Sequence, residues 1–314
     1  MRCLVTGAAG FIGSHLCRKL LQKDHTVIGV DSFTDFYARW IKEKNIQDLR
    51  SMKNFEFIEE DLNLIDLEQL LKRTEYVFHL AAQAGVRTSW GGEFYEYTRN
   101  NIDATQRLLE AARDSQTKKV IFASSSSVYG LCSDLPMKET SLLSPFSPYG
   151  VTKLAAEQLC TLYFKNHNVP AVSLRYFTVF GPGQRPDMAF HRFFRAVLED
   201  KPVTLFGDGT QTRDFSYIDD TIKATLAALE RGKVGEIYNI GGGHPRKLKD
   251  IIPLIEDICQ KRLDIEWLEE QKGDVPHTFA AIEKARKDLH YKSESELYDG
   301  LKEEWNWLRS LYST

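Results

Sequence analysis

No stretch of this 314-residue chain is long and apolar enough to span a bilayer, so a membrane-spanning helix is excluded. Basic residues number 41 against 44 acids, a net charge of −3, and they form no block. Without a basic stripe the chain has no electrostatic footprint for nucleic acid or an anionic membrane surface. Its five cysteines, Cys3, Cys17, Cys132, Cys160 and Cys259, are scattered, odd in number and form no C-x-x-C pair. That argues against a disulfide framework, and buried, reduced thiols in a cytoplasmic protein with no metal centre are expected. A glycine-rich motif starts almost at the first residue, so no signal peptide is expected. Internal repeats and low-complexity tracts are absent. What remains is ordinary for a packed globule, 42% hydrophobic and 27% charged. The length exceeds what one core usually organises, so two lobes are expected.

The chain is organised around Thr6 to Gly13. Leu4 and Val5 end a short apolar run, and Phe11, Ile12, Leu16 and Leu20 then recur at helical spacing. Gly7, Gly10 and Gly13 lie in the turn between strand and helix. The first allows a sharp reversal, the second a close approach to a ligand, the third tight helix–strand packing. A helix N-terminus with free amides suits a pyrophosphate, which makes this a dinucleotide site. The next apolar run, Thr26 to Val30, ends in Asp31, where an acid would bind ribose hydroxyls and repel a 2′-phosphate. NAD is therefore the expected cofactor.

Further strands are predicted at 55–58, 76–82, 120–123 and 171–176, with long helices over about 93–113 and 147–166. Alternating strands and helices predict an α/β fold, a doubly wound parallel sheet with ligands at the strands' C-terminal edge. Asp61 and Leu62 would meet the adenine, and Leu80, Ala81 and Ala82 would let the cofactor cross a strand end. His79 reads as a core histidine. From about residue 175 the pattern changes to short elements and Gly/Pro turns, predicting a smaller C-terminal lobe. The cofactor domain is assigned to 1–174 with a returning segment near 214–238, and the substrate lobe to 175–213 and 239–314.

The reacting groups are expected in Ser124 to Gly130 and Tyr149 to Lys153. Pro148 starts a helix, and Tyr149 and Lys153 then share one face, four residues apart. A nearby ammonium would lower the phenol's pKa, making Tyr149 a general base toward a sugar hydroxyl, with Ser125 binding the same oxygen.

These segments resemble the extended short-chain dehydrogenase/reductases, and among them the nucleotide-sugar epimerases. The matching stretches are Thr6 to Gly13, Phe122 to Gly130, Ser147 to Lys153, Arg213 to Asp220 and Gly273 to Pro276. The resemblance implies Tyr149 as base, Lys153 as cofactor and phenolate partner, Ser125 as hydroxyl-binding serine, and Tyr176 beside the cofactor. It implies Arg213 and Asp274 at the UDP-sugar, the arginine on the pyrophosphate. The competing role for Arg213 is an ion pair with Asp214. Through Arg175 to Met188 the chain is most similar to UDP-glucuronate 4-epimerases. Ser126, Ser127 and Thr178 would then hydrogen-bond a substrate carboxylate where acids would repel it, and Arg185 would close over the sugar. Many such epimerases carry a second pyrophosphate arginine where this chain has Gln271. The implied reaction is C4 epimerisation of UDP-glucuronate to UDP-galacturonate through a 4-keto sugar, with NAD retained. The alternatives are a UDP-glucose or UDP-N-acetylglucosamine 4-epimerase, a UDP-glucuronate decarboxylase, and a non-enzymatic NAD-bound scaffold. A homodimer joined through the two long helices, with Leu159 and Leu162 facing outward, is also implied.

Overall fold

The computed structural model describes residues 1–269 and 273–312. Gln271, where the second pyrophosphate arginine was sought, lies outside them. In chain order the strands are β1 (Arg2–Thr6), β2 (Thr26–Asp31), β3 (Phe55–Glu59), β4 (Tyr76–His79), β5 (Lys119–Ser125), β6 (Ala171–Tyr176), β7 (Thr178–Phe180), β8 (Val203–Phe206), β9 (Thr212–Arg213), β10 (Phe215–Tyr217), β11 (Ile237–Ile240), β12 (Arg246–Lys247) and β13 (Ile265–Leu268). The helices are α1 (Phe11–Gln22), α2 (Arg39–Ile46), α3 (Leu67–Lys72), α4 (Phe94–Tyr97), α5 (Ala104–Arg113), α6 (Pro148–His167), α7 (Ala189–Glu199), α8 (Ile218–Arg231), α9 (Leu248–Cys259), α10 (Glu283–Leu289) and α11 (Leu297–Tyr312).

Seven parallel strands form the main sheet in the order β11-β6-β5-β4-β1-β2-β3. The order turns back at β1, whose two neighbours β2 and β4 leave a crevice at their C-terminal ends, the usual ligand position in such sheets. Two apolar clusters fill the two faces, one holding Val5, Phe78 and Ile121, the other Leu4, Val77 and Phe122. Alternate residues of each strand thus go to opposite faces, which is why these strands read as unbroken apolar runs. Three short pairs, β7 with β10, β9 with β12 and β8 with β13, lie outside this sheet.

Several expectations are refined. The residues after Asp31 lead into α2, and β5 runs on through Ser124 and Ser125, past the strand end predicted at 123. The predicted helix over 93–113 is broken at Thr98–Asp103 by a π-helical stretch. Cys3, Cys17 and Cys160 are buried free thiols, whereas Cys132 and Cys259 are only partly covered. Leu162 faces outward, but Leu159 packs against the second cluster. Among the described residues no helix is long and apolar enough to cross a membrane.

Candidate active site

The glycine turn is built for close approach. The Gly7 backbone has φ +71°, and a side chain there would meet the Ala81 amide nitrogen at 2.8 Å. A Cβ on Gly13 would stand 2.0 Å from the Gly7 carbonyl oxygen, so Gly13 packs on the turn itself and not on the strand. Gly10 caps α1 with extended backbone and no side-chain acceptor, leaving the first amides free for an anion. Asp31 ends β2 beneath this turn and accepts hydrogen bonds from the Ala9 and Phe33 amides at 3.0 and 2.9 Å. Burial pushes its carboxyl pKa up, and those amides and Lys42 act against that. A cradle that only glycine fits, a bare helix N-terminus and an acid at the next strand end together fit a dinucleotide.

One continuous cavity runs from this turn along the strand ends. Its walls include Gly7, Gly10, Phe11, Ile12, Gly13, Asp31, Asp61, Leu62, Leu80, Ala81 and Ala82 at one end. Ser125, Ser126, Ser127, Tyr149, Lys153, Tyr176, Thr178 and Arg185 line the other. Asp61 is held by Arg99 at 2.5 Å and by the Asn63 amide at 2.8 Å. Burial opposes its charge, but these partners prevail and its pKa lies below the ordinary value. Tyr176 spends its hydroxyl on Thr225 at 2.7 Å, so its ring is what lines the cavity. His79 is a core residue, with its ring nitrogens on Thr6 and Thr105 at 2.8 and 3.0 Å. Burial lowers its pKa to about 3, so it stays neutral.

The helix carrying Tyr149 starts from a cap: the Gly150 amide donates to Ser147 Oγ at 3.1 Å, and Pro148 takes the first turn. Tyr149 and Ser125 line the cavity together, and the Tyr149 ring meets Tyr97 edge-on at 6.2 Å. Burial raises the phenol's pKa; Ser125 and Arg185 lower it, and Asp187 raises it. The sequence placed the Lys153 ammonium against this phenol. In the structure Lys153 Nζ sits over the Phe122 ring, 4.5 Å from its centroid, and the cation acting on the phenol is Arg185. The negative ring face stabilises a buried ammonium that has no carboxylate in direct contact among the described residues. Burial still lowers the Lys153 pKa to about 8, with Cys160 and Glu157 opposing. Arg185 is held as a fork by Asp187, both nitrogen–oxygen distances being 2.9 Å.

Arg213 and Asp274 do not line this cavity. Arg213 donates to the Thr212 and Pro276 carbonyls at 2.9 and 3.2 Å. Asp214 instead accepts from the Gly243 and Ala280 amides, so the competing Arg213–Asp214 pair is not formed. Asp274 is bound by Arg87 at 2.6 Å, and Arg87 lies over the Phe206 ring at 4.3 Å. Arg87 in turn acts on Arg213 and on Arg192, lowering the pKa of each after burial has done so. Arg87 and Arg213 thus share one carboxylate, Asp274, while Arg192 is near enough to Arg87 to feel its charge, an excess of positive charge suited to an anion. Sequence reasoning stopped at Ala82 and missed Arg87 five residues on, and it missed Arg192 inside a helix. It also missed Asn101. The π-helical stretch presents its side chain to both backbone groups of Gln83, at 2.7 and 3.0 Å, and to Thr152 Oγ1 at 2.9 Å. That clamps the loop after β4 to the helix carrying Tyr149, a common use of a π turn.

Residues 3–241 match the NAD dependent epimerase/dehydratase family. The chain is 48% identical over 314 residues to a Bacillus subtilis protein named uncharacterized UDP-glucose epimerase YtcB, covering 99% of each. It is 40% identical over 309 residues to the UDP-glucuronate 4-epimerase of Thermodesulfobacterium geofontis, covering 97% of this chain and 95% of that one. A solved structure, UDP-glucuronic acid 4-epimerase from Bacillus cereus in complex with UDP-glucuronic acid and NAD, aligns with a TM-score of 0.97 at 50% identity, covering 99% of this chain and all of that one. With a family model matched over residues 3–241 and relatives alike along nearly the whole length, this chain is a member of the NAD dependent epimerase/dehydratase family.

Proposed function

We propose that this protein interconverts UDP-glucuronate and UDP-galacturonate at C4, with Tyr149 as the base. The observation that carries the reading is the single cavity that joins the glycine cradle to Ser125 and Tyr149. The likeness to UDP-glucuronate 4-epimerases at 40% identity and above supports the choice of sugar. Bound NAD supplies the redox chemistry, taking hydride from the sugar carbon and giving it back to the other face.

In this reading Tyr149 removes the 4-hydroxyl proton and Ser125 holds the same oxygen. Arg185 lowers the phenol's pKa where burial raises it, and Lys153 adds positive charge to the same wall. Ser126, Ser127 and Thr178 offer hydroxyls, not acids, around the sugar's carboxylate. Holding that carboxylate near the plane of the C4 ketone suppresses loss of CO₂ from the β-keto acid. Arg213, with Arg87 and Arg192, takes the diphosphate, so Arg87 supplies charge that position 271 does not. Residues 1–174 with 214–238 hold the cofactor, and 175–213 with 239–314 take the UDP-sugar. The protein is a cytoplasmic homodimer in this reading, with exposed Tyr95, Val151 and Leu162 on the helices that meet.

The test is a comparison of turnover on UDP-glucuronate, UDP-glucose and UDP-N-acetylglucosamine. The highest kcat/KM is expected on UDP-glucuronate, with UDP-galacturonate as product. Preference for a neutral sugar would move the assignment to the alternative epimerase, and CO₂ release as the main outcome would move it to a decarboxylase.

A further inference from the structure

A buried ion pair lies directly behind the reacting groups and takes no part in the chemistry described above. Glu157 and Arg175 have side chains 0% and 1% exposed. Arg175 Nη2 and Nε donate to the two Glu157 oxygens at 2.7 and 2.9 Å. Glu157 Oε2 also accepts from Ser124 Oγ at 2.6 Å. The remaining Arg175 nitrogen donates to the Tyr129 hydroxyl at 2.8 Å and the Glu139 carbonyl at 3.1 Å. Tyr129 passes its proton on to Asn239 at 2.7 Å. The network therefore spans β5, β6, β11 and α6.

Such a pair is weak evidence for stability, because desolvating two charges offsets most of their attraction. Its position suggests a different use. Ser124 immediately precedes Ser125, and Glu157 lies one helical turn beyond Lys153. We propose that Glu157 is a positioning residue: it ties the helix bearing Tyr149 and Lys153 to the serine turn, and its negative charge keeps Lys153 an ammonium. The inference rests on the assignment of Tyr149 and Lys153 made above.

The groups facing Lys153 are the Phe122 ring, Cys160, His79 and Glu157. His79 is neutral, and the Cys160 thiol is pushed up to about 12 by burial, so it too is neutral near pH 7. Glu157 is the carboxylate in that set. Arg175 is bound to that carboxylate and partly offsets its field, so Glu157→Gln is compared with the variant in which both charges are removed. Without the carboxylate, Lys153 loses its proton at lower pH.

The experiment measures kcat against pH, bound NAD and thermal midpoint for Glu157→Gln, for Glu157→Gln with Arg175→Gln, and for Ser124→Ala. The sugar is whichever of the three UDP-sugars the wild type turns over, so an error in the substrate leaves the test intact. The basic limb of the profile is expected to move to lower pH in both Glu157 variants, with NAD still bound. In the double variant, where no buried charge is left unpaired, the thermal midpoint recovers while the limb stays displaced. Ser124→Ala is expected to lower kcat without moving the limb. A profile that superimposes on the wild type in the folded double variant would overturn the charge role, leaving only a structural one. An unchanged kcat in Ser124→Ala would overturn the tie to the serine turn. Tyr149→Phe runs alongside: if it retains turnover, the parent assignment fails, and if it is inactive while the limb is unmoved, only this inference fails.

Discussion

Tyr149→Phe is expected to lower turnover by about 10²–10⁴-fold, the usual contribution of a positioned acid or base, while NAD stays bound. The substitution removes one oxygen from a buried ring and leaves the edge-on contact with Tyr97 in place. Ser125 Oγ still accepts from the Ser127 amide at 3.1 Å, so the serine turn holds. The loss should therefore fall on kcat, with little change in KM or in bound nicotinamide. Activity within a few-fold of wild type would mean that another group takes the proton.

The second large effect is expected at Gly13. Its backbone is helical, so alanine meets no dihedral penalty there. The obstacle is contact, since a methyl group would stand 2.0 Å from the Gly7 carbonyl oxygen and 2.8 Å from its carbon. Both are backbone atoms of the turn and cannot swing aside as a side chain could. Gly13→Ala should cost about 1–3 kcal/mol of stability by overpacking and abolish tight NAD binding by opening the cradle. For stability the Gly10→Ala variant is the control, because its methyl group meets the same oxygen at 3.2 Å and only a small adjustment is needed. Thermal unfolding and the nicotinamide content of the purified protein read both effects. Equal thermal midpoints of the two variants would show that contact at the turn is not what Gly13 relieves.

What the sequence disclosed follows from how far apart the interacting residues lie. β1, β2 and β6 were legible because a strand buried on both faces is a short apolar run, and the Ser147–Pro148 cap announced α6 locally. The aromatic and charged mixture at 39–46 hid α2, whose burial falls on Ile41, Lys42 and Ile46 alone. The π turn at 98–103 has no local signature, since Asn101 earns its place by reaching Gln83 and Thr152. Long-range electrostatics were the least legible. Arg87 meets Asp274 across 187 positions, and which cation acts on Tyr149 depends on where the loop bearing Arg185 returns. The Tyr149–Lys153 spacing correctly put both residues on one cavity wall but could not report that the ammonium turns toward Phe122.

The proposed reaction moves one electron pair off a ring carbon and returns it to that same carbon. The direct measurement uses UDP-glucuronate deuterated at C4, incubated with the purified protein, with mass and NMR analysis of the UDP-galacturonate formed. Retention of deuterium at C4 of the product, with none released to solvent, is the predicted result. Deuterium lost to water, or product unlabelled at C4, would contradict it.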